Sequence, residues 1–185
     1  MKCSTPMRHL GPVDVAPLAA AVASQPESLW TADADFQKRL APYRQTQTIY
    51  LMMTVGGVCA PTRHMAGWEP LRDAFEPIAR RIAGFYPGSG RVLNAQLALL
   101  VPDGRIPEHS DYGPVLEATH RVHVPLETHP DVRFLVEGEN MKLEVGQAYE
   151  LDNMRLHGVH NASPRRRIHL IVDYYEEPPV APAGA

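Results

Sequence analysis

The stretch Thr119-His120-Arg121-Val122-His123-Val124-Pro125-Leu126 alternates between two kinds of side chain. In an extended chain, Val122, Val124 and Leu126 fall on one side, and Arg121, His123 and Pro125 on the other. Arg167-Ile168-His169-Leu170-Ile171-Val172-Asp173 repeats the pattern downstream. Further strand candidates lie at 92–101, 131–137, 140–145 and 147–151, with a hairpin predicted around Gly138. Short strands punctuated by Gly, Pro and Asn, with no strand–helix alternation after Arg91, predict a small sandwich or barrel and count against a parallel α/β sheet.

The N-terminal half reads as mixed. A short apolar helix is predicted at 14–23 and another turn or two at 33–40. Residues 48–55 are β-rich and end at Gly56-Gly57. Trp68-Glu69-Pro70 opens a stronger helix, with Leu71, Phe75, Ile78 and Ile82 on one face and Pro70 in the first turn. Pro77 interrupts that pattern, so a kink or break is expected there. The expected organisation is one domain over 1–175, with the β core at about 92–175, helical and strand support at about 10–90, and a loose Pro/Ala tail at 176–185.

The composition excludes several classes of function. Of 185 residues, 44% are hydrophobic and 21% charged, with a formal net charge of -3. That is the composition of a soluble globular domain large enough to bury a core. Nucleic-acid binding predicts a basic excess that is missing here. No apolar run reaches membrane-spanning length, and the first ten residues lack the hydrophobic run of a signal peptide. Cys3 and Cys59 are too few for a disulfide framework or a cysteine metal cluster, and two free thiols fit a cytoplasmic protein.

The chemistry concentrates in Pro107-Glu108-His109-Ser110-Asp111. Residues two apart on a strand face the same way, so His109 and Asp111 can hold one ion together. Imidazole nitrogen and carboxylate oxygen suit divalent iron, manganese or zinc. Two histidines and one carboxylate on one face of an octahedral iron leave the open positions that oxygen activation needs. His157 is the preferred third ligand among nine histidines, with His160 in the same segment as its rival. Arg167 stands where the β alternation begins, unlike Arg165 and Arg166, which read as a solvated charge run. With Arg121 and His123 on another strand, it predicts an anion site in which an arginine fork matches a carboxylate.

Together these segments resemble the aspartyl/asparaginyl β-hydroxylase family of iron- and 2-oxoglutarate-dependent oxygenases. The resemblance runs from about Val92 to Tyr175. It rests on His109-Ser110-Asp111, on Arg121-Val122-His123-Val124-Pro125-Leu126, on Gly146 to Asp152 leading into His157 and Asn161, and on Arg167, Leu170 and Asp173. It implies a mainly β fold, a double-stranded β-helix (jelly roll, cupin-like) core with N-terminal helices packed around it. It implies His109, Asp111 and His157 as iron ligands and catalytic centre, and Arg167 as partner of the distal carboxylate of 2-oxoglutarate. Arg121 and His123 would be further co-substrate contacts, with Asn94 or Gln96 adding a polar contact. His160 stands where the family has an aromatic residue, a departure from its pattern. The implied reaction uses Fe(II), 2-oxoglutarate and O₂ to hydroxylate an unactivated carbon of an amino acid residue, in a peptide or protein or as a free amino acid.

The implied partner is a small-molecule or peptide substrate, without nucleic acid or membrane, and the oligomeric state stays open. The loop 55–68 carries Arg63 and His64, either capping the barrel mouth to hold a substrate carboxylate or forming an ordinary polar loop. Two other functions remain open: a cupin-type metal enzyme that does not use 2-oxoglutarate, and a non-catalytic barrel binding module.

Overall fold

The computed structural model describes residues 5–34 and 45–179. Most of the segment 33–40, Cys3 and the tail beyond Pro179 lie outside the described residues.

Two antiparallel sheets form the body of the molecule. The larger contains β1 (Met7–Pro12), β2 (Thr46–Thr54), β3 (Thr62–His64), β4 (Gly90–Leu100), β6 (His120–Glu127), β9 (Gln147–Leu151) and β11 (Arg167–Glu176). Their order is β1-β9-β6-β11-β4-β2-β3. The smaller runs β5-β10-β7-β8, from β5 (Arg105–His109), β7 (Val132–Val136), β8 (Glu139–Met141) and β10 (His157–Asn161). This is the jelly-roll architecture of a double-stranded β-helix, with helices α1 (Ala16–Ala23) and α2 (Trp68–Ala83) beside it. A third, short helix, α3 (Pro114–Ala118), follows β5.

The expected alternation is present, and its two sides divide the labour. Val122 and Val124 of β6, with Leu170 and Val172 of β11, join Leu18 and Val22 of α1 and Leu71, Phe75, Ile78 and Ile82 of α2 in one apolar core. A second core holds Leu100, Ile106, Phe134, Val136, Tyr149, Leu151 and Val159. The apolar side of the large sheet thus packs on the helices, and its polar side, with Arg121, His123 and Arg167, lines a cavity inside the barrel. Burial of the apolar side is the main stabilising term, at roughly 25 cal/mol per Å² removed from water.

The N-terminal half takes a larger part than the sequence pattern indicated. Strand β2 pairs with β4 and lies between it and β3, and β1 pairs with β9. Helix α2 continues through Pro77 without a break. Pro77 is exposed, so the carbonyl left without an amide partner falls on the solvent side, where water satisfies it. The hairpin at Gly138 forms between β7 and β8, with Glu137 and Gly138 both at positive φ, 51° and 82°. A tight two-residue hairpin turn needs that backbone.

Candidate metal centre and its anion pocket

The site lies where β5 and β10 meet. His157 is registered against His109 across the ladder, and Asp111 follows just beyond the end of β5. The Asp111 amide donates to the Asn153 carbonyl at 2.9 Å, which ties that turn to the segment leading into β10. Gly158 permits the approach of the two strands: a Cβ there would sit 3.0 Å from the Ile106 carbonyl oxygen and 3.1 Å from the Glu108 nitrogen.

His109, Asp111 and His157 offer ligand atoms that all lie within 4.8 Å of one another. His109 Nε2 stands 3.6 Å from Asp111 Oδ1, and His157 Nε2 stands 3.8 Å from Asp111 Oδ2. The other ring nitrogens are already used. His109 Nδ1 bonds the Pro107 carbonyl and His157 Nδ1 bonds the Arg155 carbonyl, both at 2.8 Å. A carbonyl only accepts, so both Nδ1 atoms carry a proton and both Nε2 atoms face the cluster, the arrangement that orients a histidine ligand. Burial lowers the His157 pKa and keeps the ring neutral. At Asp111 burial pushes the carboxyl up, but Arg121, the two histidines and Asn153 outweigh it and hold it below its ordinary value. Two imidazole nitrogens and one carboxylate oxygen fit a divalent first-row ion. His160 is three residues from His157 on the same strand, hence on the opposite face, and is not among these three.

Arg121 lines the same cavity, and its guanidinium is committed to two carboxylates. Nη1 donates to Asp111 Oδ2 at 2.6 Å, Nε to Asp173 Oδ1 at 2.8 Å and Nη2 to Asp173 Oδ2 at 2.9 Å. Asn94 Nδ2 donates to Asp173 at 2.9 Å, and Asn94 Oδ1 accepts the Thr54 amide at 2.8 Å. Asp111 is therefore oriented through Arg121 by Asp173 and Asn94. Sequence reasoning quoted Asp173 without giving it a role. The register pairing Asp173 with Arg121 across β11 and β6 is what reveals it. The one legible signal was that both residues share the polar side of their strands.

Arg167 is 1% exposed, and no carboxylate meets it among the described residues. Nη2 donates to His169 Nδ1 at 2.5 Å, and the guanidinium carbon lies 5.9 Å from the Phe134 ring centre. Burial pulls its pKa down to about 9, so it is cationic at neutral pH. Burial and the Arg167 charge drive His123 and His169 well below the usual imidazole range, so both rings are neutral. Arg167 Nε and both nitrogens of His123 are buried without a hydrogen-bond partner. Buried polar atoms are nearly always satisfied, so unsatisfied ones lining a cavity point to a ligand. That cavity, of about 740 Å³, is shared by the three candidate metal ligands, His123 and Arg167.

Asn161, part of the motif that carried the resemblance, has a structural task. Its Nδ2 reaches the Val101 and Arg165 carbonyls at 3.0 and 2.7 Å, and its Oδ1 accepts from Ser163 Oγ at 2.7 Å, fixing the turn into β11. Arg63 and His64 are not among the lining residues, and His64 stacks on Trp68 at 3.9 Å.

The profile of the aspartyl/asparaginyl β-hydroxylase family matches residues 82–177, more than half of the chain. The chain belongs to that family. Its clustered His-Asp-His triad, capable of holding a metal, supports a catalytic, oxygenase-type role. No curated protein matches it. Among solved structures, AviO1 from Streptomyces viridochromogenes Tue57 is similar at 20% identity and a TM-score of 0.60, covering 97% of this chain and 93% of that one. A 2OG-Fe(II) oxygenase family oxidoreductase from Burkholderia pseudomallei shares 14% identity at a TM-score of 0.56, over 71% of this chain and 67% of its own. The viral collagen prolyl hydroxylase of Paramecium Bursaria Chlorella virus-1 shares 13% identity at a TM-score of 0.54, over 92% of this chain and 96% of its own. At such identities these likenesses establish the shared fold. No helix among the described residues is long and apolar enough to cross a membrane.

Proposed function

We propose that this protein is an Fe(II)- and 2-oxoglutarate-dependent dioxygenase that hydroxylates an unactivated carbon of an amino acid residue. His109, Asp111 and His157 would hold the iron, and Arg167 would receive the distal carboxylate of 2-oxoglutarate. The observation that carries this reading is Arg167 itself: a buried cation without a carboxylate partner, in the same cavity as the triad. A buried charge is tolerated when it is paired, and a co-substrate dianion supplies the pair.

When bound, iron with 2-oxoglutarate and O₂ supplies the oxidising power for hydroxylation. The chain does the rest. Arg167 fixes the far end of the co-substrate, and its planar fork matches a carboxylate in bidentate fashion. The Pro107 and Arg155 carbonyls set the tautomers of the histidines. Asp173 and Asn94 hold Arg121, and Arg121 holds Asp111. Neutral His123 lines the pocket without adding charge. No side chain is needed as a general base. The test is release of succinate and CO₂ from 2-oxoglutarate by the purified protein with Fe(II) and ascorbate, alongside a mass gain of one oxygen on peptides and amino acids. Release that requires Fe(II) and disappears in His109→Ala supports the reading. No 2-oxoglutarate turnover and no 2-oxoglutarate binding, with Fe(II) bound, would falsify it.

A further inference from the structure

The charged side chains of the cavity form a closed account. Among the described lining residues they are Asp111, Asp173, Arg121 and Arg167. The carboxylates of Asp111 and Asp173 take up the Arg121 guanidinium at 2.6 to 2.9 Å, so Arg121 is not an open anion receptor. The lining histidine His123 is held neutral by burial, and the Nε2 atoms of His109 and His157 face the cluster. Among the described lining residues that leaves Arg167 as the receptor for a carboxylate, and the co-substrate occupies it under the reading above. With the co-substrate and a divalent ion in place, the charges cancel: the chain contributes two cations and two carboxylates, and a dication meets a dianion.

The rest of the described wall is neutral. Thr46, Thr48, Tyr50, Met53 and Gln96 line it from the large sheet, and Val115 and Leu116 of α3 line it from the other side. Two of the large apolar side chains that stay exposed, Val55 at 68% and Tyr112 at 69%, belong to the same lining. An apolar rim on an otherwise polar surface suits a partner with an apolar body. Arg63 and His64 lie outside the lining.

We infer that the substrate group received by this site is uncharged: a neutral side chain on a neutral backbone, as in an internal residue of a peptide. A free amino acid or an ionised acidic side chain is disfavoured. This rests on the co-substrate reading, because it assigns Arg167 to 2-oxoglutarate. A substrate carboxylate entering here would lose water without meeting a counter-ion among the described lining residues, and burying an unpaired charge is costly. A zwitterion would carry that cost at both ends.

The experiment is anaerobic calorimetry on the full chain loaded with Fe(II). 2-Oxoglutarate is titrated first. Matched probes then follow into the 2-oxoglutarate-bound protein: N-acetyl-L-prolinamide against L-proline, N-acetyl-L-leucinamide against L-leucine, and the N-acetyl methylamide of L-asparagine against that of L-aspartate. The neutral member of a pair is expected to bind at least about tenfold more tightly than its charged counterpart. Failure of 2-oxoglutarate to bind sinks the co-substrate reading. If 2-oxoglutarate binds but charged members bind as tightly as neutral ones, or no neutral member binds at all, the co-substrate reading stands and the neutral-substrate assignment falls.

Discussion

Two buried ionisable groups of this molecule live in opposite surroundings. Glu150 of β9 is 2% exposed and fully engaged: Arg8 donates to it at 2.5 Å, His120 bonds it at 2.6 Å and the Tyr86 hydroxyl donates at 3.3 Å. Arg167 of β11 is as deeply buried, yet it bonds only a neutral imidazole and faces a cavity. A closed network such as that of Glu150 ties strands together: β1 and β6 are both pinned to β9. An open cation stabilises nothing in the protein alone, and burial penalises its charge. The difference separates a structural charge from one held ready for a ligand.

The largest effect expected from sharpening this contrast is at the metal. His157→Ala should abolish turnover and Fe(II) binding, measured by anaerobic metal titration, while His160→Ala keeps both. If only the His160 variant loses the metal, the ligand assignment is wrong. Next comes the carboxylate chain behind Asp111. Asp173→Asn leaves all three ligands in place but weakens the hold on Arg121, and metal affinity should fall about 10–100-fold, as partners of metal ligands typically cost. An unchanged metal isotherm in that variant would make the Arg121–Asp173 pair purely structural.

The Glu150 network should answer in stability. Glu150→Gln leaves Arg8 and His120 imperfectly paired, and urea denaturation should show a loss of about 1–3 kcal/mol, with 2-oxoglutarate affinity unchanged. The pH dependence has a definite sign. Desolvation pushes the Glu150 carboxyl up, but the His120 bond and charge and the Arg8 charge and bond outweigh it, and its pKa lies below the ordinary value of 4.5. A depressed folded-state pKa gives stability that is complete above 4.5 and is lost as pH falls through the folded value. Glu150→Gln should therefore flatten the acid limb of the stability curve; an identical limb in the variant would remove Glu150 from that role. The smallest effect belongs to Arg166, which points outward to Glu127 with both side chains more than 40% exposed. Arg166→Ala should change stability and co-substrate affinity within about 0.5 kcal/mol.

Much of this was legible in the sequence because it is periodic or local. The alternation in 119–126 and 167–173 located β6 and β11 and put Arg167 on the polar side, and the separation of two residues put His109 and Asp111 on one face. What escaped depended on register or long range. Arg121 meets Asp173 across 52 positions of sequence, and Arg8 meets Glu150 across 142. No periodicity reports such partners. Strand β1 is short, with Gly11 and Pro12 near its end, and β10 carries a glycine and an asparagine, so neither shows a strand's composition. Their place comes from the strands they pair with. Of the kink or break expected at Pro77, the break is absent: this proline lies on the wet side of α2, where water can take the carbonyl that loses its amide partner.

The central claim is that the unpaired charge of Arg167 is a receptor for 2-oxoglutarate. Anaerobic calorimetric titration of 2-oxoglutarate into the Fe(II)-loaded wild type and Arg167→Ala tests it directly. Breaking a buried charge pair costs about 3–5 kcal/mol, so the variant should bind 2-oxoglutarate roughly a hundredfold or more weakly, with Fe(II) affinity nearly unchanged and only partial rescue in Arg167→Lys. Equal 2-oxoglutarate affinity in wild type and Arg167→Ala would contradict the account.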